Sequence, residues 1–415
     1  MRPLSAAFTL LMALATAAPA QDDDYQARLD RGRNAAERKE WDVAAQQFGL
    51  ALRVRPDSVE AGDLFRQAIR EVEIYNTRFE PLRTRTAEHH GGQGGLEGVA
   101  LGLAWLAAKQ QPEGYWVNEF RHDYRCDDVG TTAFALLAFL ADGNSDATGP
   151  YREQVARGVA WLIARQQAGG SFGGGSNYSE GLAALAIVEA FAMGGSEQSF
   201  LSAQKSLNHI VASRCPEGGW DYQEPPAISG HGDVSVSGMM FQPLKQAQLA
   251  YLDFSYDTLD EIVSWVDRIT PESGIVPYRP GQNSSFHDPS MVAIGSLFRL
   301  YAGHTPESHA SLARGIGIVS AAREDMRGNI YFLYYGTMVS FLVGGETWTA
   351  WNEVLVENLL AKQVAEGPDK GRFWDEADRW TSPRYVDPVT YQSMAILSLE
   401  CCYRYVPRKR VPGGD

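Results

Sequence analysis

Beyond its first twenty residues the chain has no run apolar for the ~20 residues that a membrane-spanning helix needs. Its body is therefore expected to be soluble or peripheral to a membrane. Basic residues are outnumbered, 37 against 51 acidic, for a formal charge of -14. Such a surface gains little from releasing phosphate counterions, so nucleic acid is not an expected partner. The basic run from Arg404 to Arg410 reads as a solvated tail. Cysteine is scarce, with four in 415 residues. Cys126 and Cys215 lie in comparable inter-helix regions and are read either as a disulfide or as buried thiols, while Cys401 and Cys402 are neighbours in an apolar helix. A phosphate-binding loop is missing as well, because the run from Gly169 to Gly175 has neither the lysine nor the strand context.

What is present begins with an export signal. Arg2 supplies the positive start, Ala6 to Ala17 the apolar stretch, and Ala18-Pro19-Ala20 the small-residue cleavage pattern, which makes Gln21 the expected mature N-terminus. Residues 21–88 follow as amphipathic helices, with Trp41, Ala44, Phe48, Ala51 and Pro56 at the spacing of a tetratricopeptide unit. One such unit leaves an apolar face bare, so it should pack on the main domain or on a protein partner. Residues 89–95 read as a glycine-rich flexible boundary.

Residues 96–406 repeat. An apolar helix ends in a glycine turn carrying a large side chain at Gly114 with Trp116, Gly170 with Phe172 and Gly218 with Trp220. Weaker copies follow at Gly274, Gly328 and Gly371. Glycines spaced 43 to 56 residues apart leave room for two helices each. The expected fold is all-α, six helical hairpins closed into a ring, with a tail over 407–415. Between the turns lie helices apolar on nearly every face, such as Glu180 to Phe191, which suit an inner layer. Helices such as Tyr151 to Arg165 carry a charged arc and suit an outer one.

The run Arg157 to Gln166, followed by Gly170 and Phe172, resembles the glutamine-tryptophan repeat of squalene-hopene and oxidosqualene cyclases. Gly102, Trp105, Leu106, Gln110, Gly114 and Trp116 repeat its spacing. In this reading the glutamine amide bonds exposed carbonyls at the outer helix's end, glycine makes the left-handed turn, and the aromatic ring packs over the amide. The resemblance to terpene cyclases and protein prenyltransferases implies an α/α toroid with a central cavity. The segment from Tyr331 to Pro407 also resembles single-toroid exported bacterial proteins.

The resemblance does not carry over the family's chemistry. Squalene-hopene cyclases protonate an alkene with an aspartic acid in an Asp-x-Asp-Asp-Thr-Ala segment, and the nearest sequence here is Arg125-Cys126-Asp127-Asp128-Val129-Gly130-Thr131. Arg125 replaces the first aspartate and favours ionised carboxylates beside it, leaving Asp127 and Asp128 as weak acid candidates. Helix capping better explains Asp128, Asp233, Asp288 and Asp387, the last two with proline following. The aspartate-cysteine-histidine zinc set of prenyltransferases is lacking, so no metal or other cofactor is expected. Aromatics on inner helices suggest an apolar axial pocket bordered by Phe241, Tyr334, Tyr335 and Tyr391, with His231 and Asp233 at its rim. Three functions stand open: binding of an apolar, isoprenoid-like ligand, with or without cyclisation; a noncatalytic interaction scaffold; and a secreted polysaccharide lyase or hydrolase.

Overall fold

The computed structural model of the chain describes residues 6–120, 126–223, 230–282, 289–381 and 386–405. An N-terminal segment comprises α1 (Ala6–Glu37), α2 (Trp41–Val54), α3 (Val59–Ile69) and the short α4 (Glu73–Asn76) and α5 (Leu82–His89). Twelve principal helices follow in alternation. The outer set is α6 (Leu96–Lys109), α8 (Arg152–Arg165), α10 (Glu197–Ala212), α12 (Asp257–Ile269), α14 (Ala310–Ala321) and α16 (Gly345–Ala361). The inner set is α7 (Asp128–Ala141), α9 (Asn177–Gly194), α11 (Val234–Leu249), α13 (Pro289–Tyr301), α15 (Ile330–Val343) and α17 (Pro388–Leu399), with α18 (Cys401–Arg404) appended.

Burial separates the two layers. Every residue of α9 is buried, whereas α8 buries only Val155, Gly158, Val159 and Leu162, a single stripe at helical spacing. Each inner helix packs on the next, from α7 round to α17, and α17 packs back on α7. The ring is closed, and the chain forms an α/α toroid.

Glutamine amides staple neighbouring repeats. Gln110 Nε2 donates to the carbonyls of Gly114 (2.8 Å) and of Gln154 on α8 (2.9 Å), and Gln166 Nε2 donates to Gly170 (3.1 Å) and to Ser202 on α10 (2.9 Å). Gln363 does the same across the seam, reaching Gly371 (3.1 Å) and Gly98 on α6 (2.8 Å). The amide thus joins its own turn to the next outer helix, where the sequence reading had it bonding the end of its own helix. That end is served by indoles instead: Trp116 Nε1 donates to Leu106 O (2.7 Å) and Trp220 Nε1 to Ile210 O (2.8 Å). Gly371 has φ +89°, and a Cβ there would lie 2.3 Å from Leu101 O, so both the turn and the close approach require glycine. Gly328 is different from the other turn glycines, because it ends a 3-10 helix, Arg323–Gly328, with open space around it.

The N-terminal segment packs over the end of the ring where the inner helices finish. Arg66 Nη1 donates to Gly194 O (2.8 Å), Gln246 Nε2 to the Tyr75 hydroxyl (2.7 Å), and Thr77 Oγ1 to Tyr403 O (2.8 Å). The glycine-rich stretch expected to be a flexible boundary is packed: Trp348 Nε1 bonds His90 O, Asn352 Nδ2 bonds Gly91 O, and Gly95 lies against Leu399. All four cysteines are free and buried, so Cys126 and Cys215 form no disulfide. Among the described residues no helix is long and apolar enough to cross a membrane.

Candidate functional site

Alternation of inner and outer helices points every inner N-terminus to the same end of the ring, the mouth. Side chains cap them there: Asp127 on α7, Ser176 on α9, Asp233 on α11, Asn329 on α15 and Asp387 on α17. Asp288, expected to cap α13, lies outside the described residues.

The two weak acid candidates are both engaged as acceptors. Asp127 Oδ1 accepts from the backbone N-H groups of Val129 (3.1 Å) and Gly130 (3.2 Å), and its Oδ2 from that of Gly175 (2.8 Å). The cap of α7 is therefore Asp127; Asp128, read from sequence as the cap, is the first helical residue and accepts from Asn118 N (2.7 Å). Asp387 is fully buried, which pushes its carboxyl up to about 6. Its Oδ1 accepts from Val389 N and Thr390 N, and its Oδ2 from Asn118 Nδ2 (3.1 Å), Thr131 Oγ1 (3.2 Å) and Thr390 Oγ1. Surrounded by donors, it serves as a structural acceptor between α7 and α17.

Along the axis, side chains bridge the ring at three levels. At the mouth Tyr178 of α9 meets Tyr331 and Tyr335 of α15, the helix opposite it in the ring. Deeper, the Phe134 ring lies 6.1 Å from that of Tyr334, whose hydroxyl donates to Gln242 Oε1 (3.4 Å). At the far end Glu189 of α9 takes Arg78 Nη1 (2.9 Å) on one oxygen and Arg404 Nη2 (2.5 Å) on the other.

The residues expected to border one apolar pocket are thereby distributed. Tyr334 and Tyr335 are buried on α15, their rings 5.1 Å apart. Phe241 packs between helices on Phe298 (4.8 Å) and Tyr301 (6.1 Å), and Tyr391 packs on Trp374 (5.5 Å). His231 is on the surface, 2.8 Å from Glu217, while Asp233 is completely buried.

What converges at the mouth is a cluster of hydroxyls and carboxylates. The Tyr222 hydroxyl lies 3.0 Å from that of Tyr278 and 3.3 Å from Ser235 Oγ, and it neighbours Tyr178, Tyr331 and Tyr335. Asp233 Oδ1 accepts from Ser235 N (2.8 Å) and Val236 N (3.2 Å). Its Oδ2 lies 3.4 Å from Arg279 Nε, and Arg279 Nη2 donates to Asp221 Oδ1 (2.7 Å). Asp233 N bonds Trp220 O, which sets Asp221 beside Asp233. Burial raises the Asp233 carboxyl above its ordinary range. For Arg279, burial opposes the charge, but Asp221 and Asp233 outweigh it and hold the guanidinium above its usual value.

Four polar atoms of this cluster are buried and make no well-formed hydrogen bond: Asp221 Oδ2, Asp233 Oδ2, which lies near Tyr278 and Arg279, and the hydroxyls of Tyr331 and Tyr335, which lie near each other. Their residues are at most 6% exposed, but Tyr222, Tyr278, Trp380 and Arg279 beside them are partly open to solvent. Sequence reasoning missed Asp221, Arg279, Tyr178, Tyr222, Tyr278 and Tyr331. One usable signal was position, since Asp221 directly follows the turn tryptophan Trp220 and Tyr278 and Arg279 follow the next turn, at Gly274. Among the described residues no group of three or more His, Cys, Asp or Glu is arranged to hold a metal ion.

Neither a protein-family model nor a curated protein matches the sequence. Solved structures do match. The type II terpene cyclase MstE from Scytonema, in a variant complexed with its substrate geranylgeranyl dihydroxybenzoate, superposes with TM-score 0.51 at 13% identity over 75% of this chain and 98% of its own. The chain has a terpene cyclase-like α/α toroid fold. Sugar enzymes share that toroid: an inactive α-1,6-mannanase variant of Salegentibacter sp. with α-1,6-mannotriose gives TM-score 0.53 at 12% identity, covering 74% of this chain and 98% of that one. Cellobiose 2-epimerase from Bacillus thermoamylovorans gives 0.51 at 11%, covering 77% and 99%.

Proposed function

We propose that this chain is an exported toroid protein whose mouth binds a hydroxyl-rich ligand of the carbohydrate class. The carrying observation is the set of four buried polar atoms without a well-formed hydrogen bond beside solvent-reachable tyrosines. Leaving a buried polar atom unpaired costs about 1–3 kcal/mol. An apolar ligand seated there would keep all four unpaired, whereas sugar hydroxyls donate to Asp221 and Asp233 and accept from Tyr331 and Tyr335. Half-buried rings of Tyr222, Tyr278 and Trp380 supply the apolar faces on which a sugar ring stacks. Toroids of similar fold include a mannanase in complex with mannotriose and a cellobiose epimerase.

A second reading, an isoprenoid chain held in the axis, is favoured by the rings of Phe134, Tyr334 and Tyr335 there and by the terpene cyclase with its geranylgeranyl substrate. It requires the three axial bridges to part. Calorimetry on the mature protein with manno- and cello-oligosaccharides, beside squalene and geranylgeranyl compounds, separates the two. Oligosaccharide binding weakened roughly tenfold by Tyr335→Phe, the loss of one buried hydrogen bond, supports the first reading. Retention of squalene alone overturns it. Export rests on Arg2, the apolar run and Ala18-Pro19-Ala20; N-terminal sequencing of protein from its own host should start at Gln21, and a start at Met1 would refute it.

A further inference from the structure

Asp221 and Asp233 are 1% and 0% exposed, and among the described residues Arg279 is the only cation within ion-pair distance of either. Among the described residues two buried carboxylates share one guanidinium, an excess of one negative charge. Such an excess is costly to bury unless another cation comes to it. Asp221 keeps one oxygen with no partner, while the outer oxygen of Asp233 faces Arg279 Nε at 3.4 Å, so the Asp221 oxygen marks where that cation would sit. Tyr278 stands beside Asp233, its hydroxyl 3.0 Å from that of Tyr222, and Tyr178 and Tyr331 lie next to Tyr222, so aromatic rings neighbour the acids. The combination of acceptor oxygens, negative charge and aromatic rings differs from a seat for a neutral sugar, which needs no charge, and from one for a uronic acid, which it would repel.

We propose that the ligand carries a protonated amine, as an amino sugar does, and that Asp221 and Asp233 receive its ammonium group. The inference rests on the hydroxyl-rich reading of the mouth and adds a charge to it. In this arrangement Arg279 is a specificity residue: it partly neutralises the acids, and its third of exposed surface places it where the ligand enters. The ammonium competes with the guanidinium for the same carboxylates and sets a hydrogen on the free Asp221 oxygen, while ring hydroxyls of the sugar meet Tyr331 and Tyr335.

The test is calorimetry on the full mature chain with three tetramers of equal length: β-1,4-glucosamine, its N-acetylated form, and cellotetraose. The glucosamine tetramer should bind roughly tenfold more tightly than the other two, in line with a desolvated cation on aromatic faces, and lose most of that advantage in 0.5 M salt, in which the Debye length falls to about 4 Å. Asp221→Asn should bring the three within about twofold. Should that variant not fold, Arg279→Gln, at a partly exposed position, carries the test: it should strengthen glucosamine binding several-fold, as expected when a competing charge is removed. Equal or tighter binding of cellotetraose, or weaker glucosamine binding in Arg279→Gln, would overturn the amine while leaving the carbohydrate reading intact. Binding of none of the three overturns both.

Discussion

The two ends of the toroid's axis are made from the same inner helices and treat buried polar groups in opposite ways. At the end covered by the N-terminal segment, Glu189 takes Arg78 and Arg404 on its two oxygens, and all three are about 1% exposed. Unpaired atoms occur there as well, among them both oxygens of Glu400, Arg404 Nε and Nη1, and Arg78 Nε. They belong to groups of opposite charge, and the partly exposed Tyr405 ring lies 5.2 Å from the Arg404 guanidinium. At the mouth the unpaired atoms are two carboxylate oxygens, whose acids share one arginine, and two tyrosine hydroxyls, with partly exposed tyrosines next to them. A buried unpaired group therefore does not by itself mark a binding site. Among the described residues it is the uncompensated sign that distinguishes the mouth from the end covered by the N-terminal segment.

The largest effect that would test this contrast is expected at the sealed end. Glu189→Gln leaves two buried guanidiniums without their counter-charge and should cost about 3–5 kcal/mol, measured by urea unfolding at neutral pH. A loss under about 1 kcal/mol would mean that water reaches this end and that the contrast is false.

Titration should separate the ends next. Burial raises Glu189, but Arg404 and Arg78 outweigh it and hold the carboxyl below its ordinary value. Its contribution is present above the unfolded value and is lost as pH falls through the lower folded one. Asp387 at the mouth is raised to about 6 from 3.8. The sign is reversed: its contribution is complete below the unfolded value and is lost as pH rises through about 6, on the order of 3 kcal/mol. Unfolding free energies at pH 4 to 7 should show that decline in the native chain and a flatter profile in Asp387→Asn. Identical profiles would remove Asp387 as the cause.

A smaller effect concerns how the ring holds both ends in place. Gln363→Ala removes the donor spanning the seam between α16 and α6 and should cost about 1–2 kcal/mol. Gln110→Ala removes the equivalent donor between α6 and α8 and should cost the same if the seam is an ordinary joint; a far larger loss at Gln363 would make closure the weak point. The smallest change is expected from Asp127→Ala, the loss of one N-cap, at about 1 kcal/mol by thermal unfolding, with ligand affinity at the mouth unchanged.

Much of the ring was legible beforehand because its signals are local. Gln110 with Gly114 and Trp116, and Gln166 with Gly170 and Phe172, lie within seven residues of each other, and such spacing survives as a pattern. The Gln363 to Gly371 joint was half-seen: its glycine was identified, but its glutamine went unnoticed because Phe373 follows it by ten residues, where the better copies place the ring six residues after the glutamine. The cap of α7 was placed one residue late, since adjacent Asp127 and Asp128 offer the same side chain. The mouth was mostly missed. Tyr334 and Tyr335 were expected as pocket walls because inner helices carry them, yet whether a ring lines a cavity or fills it depends on the residue opposite, here Phe134 for Tyr334 and Tyr178 for Tyr335.

The sequence by itself determined the all-α repeat, the inner and outer layers and the glycine turns, since helical periodicity and left-handed backbone are properties of a residue and its near neighbours. Only the tertiary structure decided what the repeat encloses. Arg279 reaches Asp221 across 58 positions, Arg404 reaches Glu189 across 215, and Gln363 reaches Gly98 across 265. Those partners are set by closure of the ring, which brings distant side chains to one axis and leaves some of them paired and others not.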